Sequence, residues 1–180
     1  METLLFSQRS ILTMVHGMAL GGGALVGLCV ALFALRAMRS AAGSDVVAEH
    51  QARYLAWLLV LTAALLWLSV LAGTYVVFPP YRATPPAGVV DLSQYPRSLL
   101  LANVETAWLH AFGMESKEHM PWIASMLATA VAFVSVRYRS ALLRDAPLRG
   151  MAMILLAVSF ALVAFVGLMG VFIDKVAPLH

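Results

Sequence analysis

The sequence predicts an all-α integral membrane protein, a four-transmembrane-helix bundle, and three observations lead there. Hydrophobic residues make up 62% of the chain and charged ones only 12%, and a mean hydropathy of +0.86 lies outside the range of a soluble domain of this size. The apolar residues gather into four runs, 11–35, 55–78, 120–136 and 151–173, each near the roughly 20 residues that cross a bilayer core. No Asp, Glu, Lys or Arg interrupts any of them. The lipid bilayer is therefore the first partner implied, and residues 1–180 read as a single membrane domain without repeats.

The first run contains "VHGMALGGGALVG", a histidine and a crowd of glycines where lipid favours leucine. Each glycine weakens a helix by about 1 kcal/mol relative to alanine, so the stretch makes room for something. The run is too long for a signal-peptide core and is followed by arginines, which reads as a span. The second run ends at paired prolines in "YVVFPPYR", with Tyr75, Phe78 and Tyr81 expected as an interfacial aromatic belt. In the connection 79–119, apolar residues at Leu99, Leu100, Ala107, Trp108, Ala111 and Phe112 predict an amphipathic surface helix over about 98–113, closed by Gly113, lying on the membrane or over the bundle. The third span is expected to start from Ser116 as its N-cap, with Pro121 early in the helix and Trp122 at the interface. In the fourth, Gly167 and Gly170, with Ala157, Ala161 and Ala164, suit close helix packing.

Basic residues set the orientation, because short cytoplasmic loops retain Lys and Arg. Arg36, Arg39 and Arg53 flank the first connection, and Arg137, Arg139, Arg144 and Arg149 the third. Those two connections are expected in the cytoplasm, with both termini and the long loop on the periplasmic side of a bacterial inner membrane. A pI near 9.4 then reflects topology, and no basic stripe interleaved with aromatics points to nucleic acid. One cysteine, Cys29, gives neither a disulfide nor a thiolate cage. Phosphate loops, nucleophile elbows and zinc-protease helices are missing, and the charge-free runs argue against an ion pump or secondary transporter.

The chemistry-bearing residues gather on the outer side of this topology. His16 lies roughly 7 to 8 Å inside the first span at 1.5 Å per residue, His119 heads the third span, and His110 lies on the surface helix. Imidazoles from two spans at similar depth are what an axially bis-ligated haem b requires. His16 and His119 are the expected ligands, with His110 as the substitute. Gly17 and Gly21 beside His16 would leave space for the porphyrin, although bulky Leu20 sits one turn away and small-residue lines also serve plain helix packing. Glu105, Glu115 and Glu118 are candidate proton acceptors for quinol oxidation, and Glu115 stands four residues before His119. Met14, Met18 and Met169 read as packing, and His50 and His180 as solvated or structural.

The plan resembles that of small four-helix cytochrome subunits of respiratory complexes. The expectation is a b-type cytochrome passing electrons between a quinone pool and an outer redox protein such as a periplasmic c-type cytochrome. The alternative is a cofactor-free structural or anchoring subunit of a larger respiratory or photosynthetic complex, in contact with other membrane subunits. A copper or iron site built from His16, His119, Glu115 and Glu118 ranks last.

Overall fold

A computed structural model describes residues 7–38 and 45–178, and Arg39 and His180 lie outside them. Four helices are long and apolar enough to cross a membrane: α1 (Gln8–Met38), α2 (Val46–Tyr81), α4 (Leu109–Arg137) and α6 (Ala146–Val176). Two short helices complete the set, α3 (Pro96–Leu101) in the long connection and α5 (Arg139–Arg144) between α4 and α6. No strand occurs among the described residues. The spans pack in a ring, α1 on α2, α2 on α4, α4 on α6 and α6 back on α1. This is the arrangement of an up-and-down bundle.

Small residues bring the helices together. Ala24, Leu28, Ala31 and Leu35 of α1 meet Leu55, Leu59, Ala63 and Leu66 of α2 and Ala124, Ala128 and Val131 of α4 in the core. Gly27 is the tightest point, since a Cβ there would overlap Thr62, whose Oγ1 donates to the carbonyl of Leu58 at 2.7 Å. Buried hydroxyls find acceptors, as polar groups in hydrocarbon must. Ser125 and Ser135 donate within α4, and Ser159 of α6 donates across to the carbonyl of Ala124 at 2.9 Å.

Several expected features take another form. The surface helix predicted over about 98–113 is not continuous. Asn103 Oδ1 accepts from the Glu105 amide at 2.9 Å, and Thr106 Oγ1 donates to the Leu100 carbonyl at 2.8 Å. These side-chain bonds compete with helical ones and turn the chain after Leu101. From Leu109 the chain is already in α4, so Ser116 is buried inside a helix instead of capping it. Gly113 lies within the same helix, against Met169 and Ile173. In α6, Ala157, Ala161 and Gly167 are exposed, and only Gly170 of the expected glycine pair has another helix within 4 Å. Arg149, counted above as a loop charge, is buried and donates through Nη1 to the carbonyls of Leu142 and Leu143, closing α5.

One end of the bundle differs from the other. The start of α1, the end of α2, the start of α4 and the end of α6 meet at what we call the loop end, beneath the connection 82–108. Three of those four helix ends contain a π-helical turn: Val15–Gly22, Gly73–Val77 and Leu109–Met114. Leu100 of α3 is fully buried there, in a second apolar cluster with Tyr81, Leu109, Met114, Ile173 and Ala177.

Candidate functional site

The loop end carries two polar clusters, both assembled around the π-helical turns. Such turns are rare and are frequent at functional sites, because the extra residue leaves backbone groups out of the regular ladder.

The inner cluster begins with His16, placed by the first π turn against α2. Ser69 Oγ donates to the His16 carbonyl at 3.3 Å and stands 3.4 Å from its Nδ1. The ring occupies space that Gly73 leaves vacant. A Cβ at position 73 would lie 2.8 Å from His16 Cε1 and 3.3 Å from Nε2. Lys117 of α4 lies within electrostatic reach of His16, and Asp174 of α6 within reach of Lys117. The Lys117 amine lodges against α6 at Gly170, where a Cβ would lie 2.5 Å from Nζ. Among the described residues the only ion pair is Arg139 with Glu49 at the opposite end, so Lys117 has no carboxylate within 4.0 Å.

The other cluster lies under the connection. Tyr81 is buried, and its hydroxyl pairs with His110 Nδ1 at 2.9 Å. Phe78 stacks on Tyr81 with centroids 6.0 Å apart, and the Arg82 guanidinium sits 5.1 Å above the Phe78 ring. Arg97, Glu115 and Glu118 all lie within electrostatic reach of Tyr81 and His110. The Nε of Arg97 is buried without a hydrogen-bond partner.

The predicted site residues divide accordingly. His16 stands in the inner cluster, while His110, Glu115 and Glu118 share the Tyr81 cluster. His119 is exposed, and its Nδ1 pairs with the Glu115 carbonyl of its own helix at 2.8 Å. It is not drawn to His16. Glu105 is exposed in the turn after α3. Gly17 faces open space, and Gly21 faces Ser69 Oγ, 3.6 Å from where its Cβ would stand. The space prepared for His16 therefore lies on α2, at Gly73, and not along the glycines of its own helix. No group of three or more His, Cys, Asp or Glu suited to a metal ion occurs among the described residues. Met14 and Met18 are exposed, and Met169 packs on Gly113. His50 is at the opposite end, where it lines a groove of about 370 Å³ with Val46, Glu49, Arg53 and Arg139.

Sequence reasoning passed over Ser69, Gly73, Arg97, Lys117 and Asp174 as site residues, and gave Tyr81 and Gly170 other roles, in an interfacial belt and in helix packing. One signal was present for Lys117. His110, Lys117, Ala124 and Val131 recur at seven-residue spacing, and such positions share a helix face. Ala124 and Val131 are buried, and Lys117, on the same line, is half-buried. No protein family, curated protein or solved structure matches the chain.

Proposed function

We propose that the chain is a membrane-embedded electron-transfer subunit, a b-type cytochrome that works between a quinone pool and a redox partner on the outer face. The observation that carries this reading is the concentration of π-helical turns at one end, two of which present an imidazole. His16 and His110 each have Nδ1 engaged, by Ser69 and Tyr81, while Nε2 has no hydrogen-bond partner among the described residues. A histidine that binds metal through one nitrogen has the other held in this way. The pair supplies the imidazole donors that haem b takes, with His110 in the place first expected for His119, and holding the group would require the Nε2 edge of His16 to leave Gly73. Haem, when bound, supplies one-electron carriage. The chain's own residues orient the two rings, and Glu115 and Glu118 stand near His110 as proton acceptors.

A reduced-minus-oxidised visible spectrum of the purified protein tests the reading. A b-type band is expected, lost in His16→Ala and in His110→Ala and kept in His50→Ala. A flat spectrum from folded protein overturns it. The loop end is assigned to the periplasmic side of a bacterial inner membrane, because seven of the twelve Lys and Arg residues flank the two short connections. Labelling of single cysteines between 83 and 95, in a Cys29→Ser background, checks that assignment with an impermeant reagent.

A second reading, a cofactor-free anchoring subunit of a larger membrane complex, is favoured by a different observation. Gly27 receives Thr62, Gly73 receives His16 and Gly170 receives Lys117. The glycines nearest other helices are thus filled by the chain's own side chains.

A further inference from the structure

We infer that the groove between α2 and α5 seats the phosphate of an anionic phospholipid, whose acyl chains lie along α2. Neither haem nor quinone is needed for it.

Charge is divided unequally along the chain. The connecting stretches 36–53 and 137–149 carry seven arginines against three carboxylates, Asp45, Glu49 and Asp145, while the rest of the sequence carries five Lys and Arg against six Asp and Glu. The end opposite the loop end is therefore the one that attracts an anion. Its groove of about 370 Å³ has the size of a small-ligand site, about 300 to 1,000 Å³. Val46, Glu49, His50 and Arg53 of α2 line it together with Arg139 of α5. Glu49 is the one carboxylate in that lining, and Arg139 Nη1 counters it at 3.2 Å. Arg53 is left as the uncompensated charge, exposed and without an ion pair or hydrogen bond to any described residue. The Nε of Arg139 is buried without a hydrogen-bond partner. Two guanidiniums at one cavity are the donors that phosphate oxygens take, since each planar fork matches two oxygens at once. His50 spends Nδ1 on the Val46 carbonyl at 3.0 Å, which leaves Nε2 as an acceptor for a headgroup hydroxyl.

Depth selects a lipid phosphate over a soluble one. Arg53 stands two residues before the apolar run 55–78, at the level where headgroups meet hydrocarbon. Val46, Glu49, His50 and Arg53 recur at three- and four-residue spacing, and the same stripe continues to Trp57, Val60 and Leu61. All three are exposed, Trp57 by 70%, so an open apolar track runs from the groove along α2. Tyr54, also exposed, adds an interfacial aromatic beside Arg53. A free phosphate would use the arginines and leave the track bare, whereas an anionic lipid uses both, as in other basic pockets between spanning helices.

The experiment uses the full chain in phosphatidylcholine nanodiscs doped with phosphatidylglycerol, with one or the other lipid carrying brominated acyl chains that quench tryptophan on contact. Brominated phosphatidylglycerol is expected to quench about twice as strongly as brominated phosphatidylcholine at the same mole fraction, and Trp57→Phe to remove most of that difference. Arg53→Gln is expected to abolish the preference. Arg139→Gln is expected to weaken it, and serves if Arg53→Gln does not fold. Arg36→Gln, an exposed site at the end of α1 outside the groove, is expected to keep it. Equal quenching by the two lipids overturns the proposal, as does a preference that survives in folded Arg53→Gln or persists undiminished in Trp57→Phe. A preference that falls as far in Arg36→Gln would mark general attraction to a basic surface and also overturn it. So would its loss in inorganic phosphate but not in chloride of equal ionic strength, which would assign the groove to a soluble anion.

Discussion

The Cε1 corner of the His16 ring fills the volume that any side chain at position 73 would need, 2.8 Å from the site of a Cβ on Gly73. Both residues lie in π-helical turns of different spans. Neither turn can change its register without moving the other.

Gly73→Ala is therefore expected to displace His16 and lower stability by about 1 to 3 kcal/mol, the usual cost of overpacking. Gly17→Ala is the control, since no atom lies within 4 Å of a Cβ there. It is expected to be neutral or to stabilise by up to about 1 kcal/mol. Thermal unfolding in one detergent, followed by circular dichroism, compares the two. Equal melting temperatures for both variants would show that His16 is not seated at Gly73.

Gly27 and Thr62 make a second close pair, and they should be coupled. Gly27→Ala forces its methyl onto Thr62, at a cost of about 1 to 3 kcal/mol. Thr62→Ala removes the obstructing Oγ1 and Cγ2, so the double variant should recover most of the loss. A coupling energy of about 1 kcal/mol or more from the double-mutant cycle is expected; simple additivity would place the α1–α2 contact elsewhere.

These two pairs mark the boundary of what the chain reveals on its face. Four spans are legible because hydropathy over some twenty residues outweighs local detail. The start of α4 was misjudged by about ten residues because Glu115, Lys117 and Glu118 break the apolar run, although the helix continues through them. His119 was preferred to His110 for the same reason. It lies two residues from Lys117, about 200° around the helix, and once α4 extends back to Leu109 it falls on the outward face. That Gly73 receives His16 is a relation between distant segments. Periodicity reports which face is small, not which helix it meets.

Tyr81→Phe should loosen His110 without disturbing the fold. The variant removes the only partner of His110 Nδ1 among the described residues, at a net cost of about 0.5 to 1.5 kcal/mol. Modification of His110 by diethyl pyrocarbonate, mapped by mass spectrometry, is expected to become several-fold faster. An unchanged rate would mean that the Tyr81 hydroxyl does not restrain the ring.

Arg149→Met tests whether this arginine is structural. Its Nη1 serves the carbonyls of Leu142 and Leu143 at the end of α5, and hydrogen bonds from a charged donor contribute about 1.5 to 3 kcal/mol each. A loss of about 2 to 4 kcal/mol is expected by chemical denaturation. Wild-type stability in the variant would leave the residue only its role in orientation.

Lys117 also imposes an order on biosynthesis. The amine packs against Gly170 and lies within electrostatic reach of Asp174, both of which the ribosome makes only after the whole of α4 and α5. Ser69 and Gly73, by contrast, are ready as soon as α2 has followed α1. The amino-terminal hairpin can therefore mature around His16 on its own, whereas α4 must keep its cation near the water or a chaperoning surface until α6 arrives to admit it.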